Sequence, residues 1–335
     1  MKLDFAQIRS VTMGAVRIVE ADNGIRFYRF TEEQEALYHE KNPSFYRKSF
    51  CTSGVQLRFR TDSRTLRLKG TLAVGTLRRY YAVEVLVNGQ RVGAAENFSG
   101  VELPPDYTVV ELPYDIFDKS FALGEGMKEV RVLLPWSLIT TLQEVELDDG
   151  SVVEPMKLPK KMLCFGDSIT QGYDALYPSH KYITQLAEFL EAEEFNKAIG
   201  GDVFYPELAG AKDPFEPDYI SVAYGTNDWS KCDGEVFEAN CSGFFKNIRE
   251  SYPKAKLIVL TPIWRKDTDV PRKYGAFEKI GAFICSCVAN DDNVIVIEGI
   301  DLVEHRTDLY ADLRLHPNDE GFHQYFESIK KALGK

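Results

Sequence analysis

The hydrophobic spacing of this chain changes once, near residue 157, and that change constrains the fold more than any single residue does. Residues 11–147 read as short segments in which apolar and polar side chains alternate: "AVRIVE", "IRFYRF", "VQLRFRT", "TLRLKGTL", "YAVEVLVNG", "YTVVELP" and "EVRVLLP". Such a period of two buries one face of a strand. Asn88-Gly89 supplies a hairpin turn. Helical spacing is scarce, a turn near "TEEQEALYHE" aside. The pattern predicts an antiparallel β-sandwich, jelly-roll-like, over residues 1–157. "EPMKLPKK", with two prolines and three lysines, reads as the linker.

Beyond it, over residues 158–335, the runs "KMLCFG", "EEFNKAIG", "DYISVAYG", "KLIVLTPI" and "NVIVIEG" are apolar without alternation, so both faces of their sheet are covered. Amphipathic stretches such as "HKYITQLAEFLEAE" and "NDEGFHQYFESIKKALGK" separate or follow them. This predicts an α/β domain in three layers, with a five-stranded parallel sheet between helices.

The chain has 335 residues and a net charge of −11, with 27% charged side chains. The acidity concentrates late: residues 1–155 hold 19 basic and 22 acidic groups, residues 156–335 hold 21 and 29. That balance argues against a nucleic-acid partner, which needs a basic face, and favours a neutral or weakly polar substrate. No apolar run approaches membrane-spanning length. The first twenty residues lack the basic start and apolar core of a signal peptide, so the chain as given reads as cytoplasmic. Its six cysteines show no metal-ligand spacing and are expected to be free thiols. Oligomeric state is not encoded in any pattern here.

In an open parallel sheet, ligands bind at the carboxyl ends of the strands. There the sequence places Gly166-Asp167-Ser168, then Gly200-Gly201-Asp202, then Gly225-Thr226-Asn227-Asp228-Trp229, and His316 ahead of the last helix. A serine, a histidine and candidate oxyanion donors at one rim are the parts of acyl transfer. Taken singly, Ser168 could cap a helix and Asn227 could close an Asx turn. Four ordered blocks favour chemistry. A flavodoxin-like nucleotide or flavin binder is disfavoured, because the first loop lacks a glycine-rich phosphate cradle.

The blocks "FGDSITQG", "NKAIGG", "YGTND" and "DLRLHPND" resemble those of the SGNH, or GDSL, hydrolases. The resemblance implies a flavodoxin-like domain over about residues 160–335 and no metal or organic cofactor. It makes Ser168 the nucleophile and His316 the base, with the Ser168 and Gly201 amides and the Asn227 side chain as oxyanion donors. The family usually has an aspartate three residues before the histidine; Leu313 stands there, and Asp312 stands four before. Either Asp312 orients the imidazole or a backbone carbonyl does. A sandwich ahead of such a domain is similar to family-two carbohydrate esterases, which implies deacetylation of sugars or polysaccharides. Tyr173, Tyr224, Trp229 and Trp264 are the candidate aromatics of the substrate pocket. Two rivals remain: a lipid esterase, lysophospholipase or thioesterase of the same family, and a non-catalytic carbohydrate-binding protein.

Overall fold

A computed structural model of the chain describes residues 1–105 and 111–334. The N-terminal part contains two antiparallel sheets. One runs in the order Thr12–Met13, Gln56–Thr61, Lys128–Leu133, Ala82–Val87, Gln90–Glu96, and the other Arg17–Ala21, Gly24–Tyr28, Leu138–Leu147, Thr65–Val74, Ile116–Ala122. Alternation does what it predicts. Leu57, Phe59, Val83, Val85, Val130 and Val132 of the first sheet meet Leu66, Leu68, Leu142 and Val145 of the second in one core. The expected strand "YTVVELP" lies largely in 106–110, outside the described residues, and 111–113 form no strand. Ile116–Ala122 went unrecognised because, as an edge strand, it carries charges and leaves Ile116 exposed.

The parallel sheet has the order Ala192–Asn196, Lys160–Gly166, Tyr219–Ala223, Lys256–Leu260, Val294–Ile297. Its continuous apolar runs are explained by two cores. Leu163 and Phe165 pack with helices Gly234–Ser251 and Glu278–Val288, while Met162 and Cys164 pack with Tyr182–Phe189 and Asp319–Ala332. Glu154–Pro155 still pairs with Phe59 and Arg60 of the sandwich, and the parallel sheet begins at Lys160, so the predicted linker is short and anchored. All six cysteines are free. No helix among the described residues is long and apolar enough to cross a membrane.

The main departure from expectation is a pair of helices, Glu32–Lys41 and Pro43–Ser49, where only a turn was anticipated. Each has an orthodox start. Thr31 and Gln34 form a capping box, and Asn42 caps the second helix ahead of Pro43. Their inward residues are partly polar, Gln34 and Glu35 beside Tyr38, which hides the helical period. Gln34 and Tyr38 face the α/β half, bonding to the Ala211 carbonyl and Asp202, while Glu35 pairs with Arg17 of the sandwich; Phe30 and Tyr38 belong to the core of the α/β half.

Candidate active site

The first parallel strand ends at Gly166, where a Cβ would come within 2.3 Å of the Thr170 hydroxyl oxygen. The chain then turns directly into the one-turn helix Ser168–Gln171, which closes at Gly172 in the left-handed region, φ 111°. The Asp167 side chain accepts from the Ile169 amide and caps that helix. Ser168 therefore sits at the first helical position with its own N–H unused by the helix. Its Oγ lies 2.9 Å from His316 Nε2, and His316 Nδ1 lies 2.8 Å from Asp312 Oδ2.

The register of Asp312 is explained by the loop. Leu313 is exposed and adopts φ 55°, a left-handed conformation that side chains seldom take. The tight turn leaves Asp312 facing inward, and its Oδ1 accepts from the amides of Arg314, Leu315 and His316 at 2.9, 2.7 and 3.1 Å. Burial alone would raise the Asp312 carboxyl. The His316 contact and these backbone donors outweigh it and hold the group well below the usual carboxylate range. An ionised Asp312 can only accept, so Nδ1 of His316 carries the proton and Nε2 offers a lone pair to the Ser168 hydroxyl.

Gly201 adopts φ 89°, and no protein acceptor meets its N–H among the described residues. The segment leading to it is fastened to the serine turn. Ile199 donates to the Gly166 carbonyl, Gly200 to Gln171 Oε1, and Asn196 Nδ2 to the Thr170 carbonyl. Asn227, on helix Thr226–Lys231, donates from Nδ2 to Asp167 Oδ2 at 3.3 Å, which leaves its second amide hydrogen for another acceptor. Two buried carboxyls support this rim. Burial pushes Asp167 up to about 6 and Asp228 up to about 7; Asp228 accepts from the Phe204 and Gly225 amides.

The pocket aromatics divide. Tyr173 is buried against the site: its ring stacks on His316, centroids 5.6 Å apart, and its hydroxyl fills the space where a Gly200 side chain would stand. Trp229 corrects the expectation of a rim residue. It is fully buried, packs on Phe277 and donates from its indole nitrogen to the Gly275 carbonyl, so it belongs to the core. Tyr224 is buried as well. Trp264 is half-buried under a stacked His305 and lines a cavity of about 500 Å³ whose walls include neither Ser168 nor His316.

Sequence reasoning missed what the N-terminal half adds. Asp174 Oδ2 lies 3.6 Å from His316 Nδ1, a second carboxylate beside the imidazole. Arg78 grips it with two hydrogen bonds, 2.7 and 3.0 Å, and the Tyr80 hydroxyl donates to it at 2.9 Å. Among the described residues, Asp174, Asp312 and His316 form a cluster compact enough for a metal ion. Arg78, Tyr80 and the Ser168–His316–Asp312 contacts already engage those ligand atoms. Arg78 and Tyr80 precede Asp174 by 96 and 94 residues, and no motif announces them.

Comparison with known proteins agrees with this architecture. Residues 164–324 match the family model described as GDSL-like Lipase/Acylhydrolase. No curated protein sequence matches the chain. Several solved structures share the fold along nearly the whole length. A salicylyl-acyltransferase from a tetracycline biosynthetic pathway aligns with TM-score 0.78 at 23% identity, covering 96% of this chain and 93% of its own. A family-two carbohydrate esterase from Clostridium thermocellum, in complex with cellohexaose, gives 0.62 at 16%, covering 96% and 99%. An acetyl xylan esterase from Butyrivibrio proteoclasticus gives 0.61 at 15%, covering 99% and 97%. The chain thus carries a GDSL-like lipase/acylhydrolase domain over residues 164–324, the domain of an ester hydrolase.

Proposed function

We propose that this protein is a serine esterase that removes small acyl groups, acetyl foremost, from a carbohydrate. The observation that carries the reading is the unbroken hydrogen-bond chain Ser168–His316–Asp312 at the rim of the parallel sheet. Ser168 Oγ attacks the ester carbonyl as its proton passes to His316 Nε2, and Asp312 stabilises the imidazolium. The tetrahedral oxyanion is held by the Ser168 and Gly201 amides and the free N–H of Asn227. The alcohol leaves with the proton from Nε2, and water then cleaves the acyl-enzyme by the same transfers reversed.

The carbohydrate assignment is supported by the full-length likeness to family-two carbohydrate esterases, which is a likeness of fold. The decisive experiment is an ester panel, p-nitrophenyl acetate to decanoate plus acetylated sugars, run with wild type and Ser168→Ala. Turnover of acetyl esters that vanishes in the variant is expected. Preference for decanoate would favour the lipid esterase, and sugar binding without hydrolysis would favour the binding protein.

A second reading keeps the acyl-enzyme and changes the acceptor. It is favoured by the alignment with a salicylyl-acyltransferase at TM-score 0.78. Adding an alcohol acceptor and measuring how the acyl group partitions between it and water separates the two.

A further inference from the structure

The turn proposed to hold the oxyanion carries two ammonium groups. Lys48 Nζ donates to the Gly200 carbonyl at 2.6 Å, and Lys231 Nζ donates to the Gly201 carbonyl at 2.7 Å. Lys231 lies four residues after Asn227 on the same helix. Lys48 comes from helix Pro43–Ser49 of the N-terminal half, 152 residues before the carbonyl it binds. Neither lysine has a carboxylate within ion-pair distance among the described residues, so neither is placed there to neutralise an acid.

Gly200 C=O and Gly201 N–H are the two ends of one peptide group. A charged donor on the oxygen draws density from the nitrogen and makes the N–H a stronger donor, as linked hydrogen bonds polarise one another. We propose that Lys48 is a positioning residue of the oxyanion hole, acting through the Gly200–Gly201 peptide to aim and strengthen the Gly201 N–H. This rests on the esterase reading above.

The surroundings are built for it. Arg29, almost wholly buried, donates to the carbonyl of Lys48 itself at 3.0 Å and to the carbonyls of Asn196 and Ala198 at 2.7 and 3.1 Å. One guanidinium therefore fixes both the base of the Lys48 side chain and the segment leading to Gly200. Burial, reinforced by repulsion from Lys231, brings the Lys48 ammonium down to about 8. The other charged or titratable groups around it are Asp202, already paired with Lys41, Arg47, and the Cys51 thiol, which burial pushes up to about 12. Lys48 thus loses its charge within a measurable range.

The test uses the full chain with p-nitrophenyl acetate, reading kcat and KM separately from pH 6 to 10 in wild type, Lys48→Met and Lys48→Arg. Wild-type kcat should fall through an alkaline limb near pH 8. Lys48→Met should lower kcat at neutral pH by roughly tenfold, less than loss of a direct oxyanion donor, leave KM within about twofold, and abolish that limb. Lys48→Arg should recover most of kcat and carry no limb near pH 8. A Met variant with wild-type kcat, or with its alkaline limb intact, overturns the proposal. If Lys48→Met does not fold, the Arg variant alone decides, since an unchanged limb near pH 8 overturns the proposal equally. A wild type that turns over no ester overturns the esterase reading and this inference together; an active wild type indifferent to Lys48 overturns only the latter.

Discussion

Replacing Asp312 by asparagine isolates one atom of the proposed triad. The aspartate uses Oδ1 to accept three backbone N–H groups and Oδ2 to accept from His316 Nδ1 at 2.8 Å. Asparagine keeps the Oδ1 contacts and sets an NH2 against Nδ1. Flipping the amide would set that NH2 against three backbone donors instead, so the first arrangement holds. Nδ1 must then become an acceptor, the proton moves to Nε2, and Ser168 faces a donor that cannot take its proton. The equivalent exchange in chymotrypsin-type proteases costs about 10⁴ in kcat, which at about 1.4 kcal/mol per decade is near 5 kcal/mol of barrier. Asp312→Ala behaves differently. With no amide in the way, the Nδ1–H can turn to Asp174, whose Oδ2 is already 3.6 Å away. We expect the alanine variant to lose roughly 10² in kcat, less than asparagine. It should also be less stable, because three turn amides lose their acceptor at about 1 kcal/mol each. The measurement is kcat on p-nitrophenyl acetate from pH 5 to 9, with thermal melts on the same samples. An asparagine variant within tenfold of wild type, or a folded alanine variant slower than the asparagine one, refutes the tautomer reasoning.

Other substitutions follow from single contacts. Gly200→Ala would place a Cβ 2.5 Å from the Tyr173 hydroxyl; displacing Tyr173 from His316 should lower kcat at least tenfold, and unchanged kinetics would show the stack to be idle. Lys197→Met strands Asp213, the partner of a fully buried ion pair. Breaking such pairs costs about 3–5 kcal/mol, so Tm should drop by roughly 10 °C, as calorimetry can check. Asp228 is pushed up to about 7 by burial, so the folded state binds its proton more tightly than the unfolded chain does. Its stabilising contribution is complete below the unfolded value, about 4, and is lost as pH rises through 7. Asp228→Asn should flatten the fall in Tm across that window; an unaltered slope contradicts the assignment.

Much of the site was readable because topology delivers it. Ser168, Gly201, Asn227 and His316 each follow a strand or precede a helix of one parallel sheet, and strand order alone brings them to one rim. Asp312 was readable as a candidate only. Its contact with His316 depends on Leu313 taking a positive φ, a backbone choice that no local pattern requires of leucine. Trp229 was misplaced because an indole after a strand end suits a rim and a core equally; the Gly275 carbonyl, 46 residues away, decides. Arg78, Tyr80, Arg29 and Lys48 were invisible for a related reason. They act across the boundary between the halves, where sequence spacing carries no periodicity. The helices bearing Tyr38 and Lys48 were hidden because their buried face is partly polar, serving a neighbour the local pattern does not describe.

Arg29 also bears on how the protein is made. Its partners Asn196 and Ala198 lie 167 and 169 residues further along the chain. During synthesis the first fifty residues emerge early, yet this buried guanidinium has no carbonyls of that loop to bind until about half the chain has followed it. Long-range contacts of this kind are slow to form. Until then the guanidinium has only its nearer partners, the carbonyls of Lys48 and Cys51. Once made, these contacts tie the segment that leads to the Gly200–Gly201 turn to the N-terminal half. Asp312 and His316 follow more than a hundred residues later, so a partly made chain holds its serine without its base.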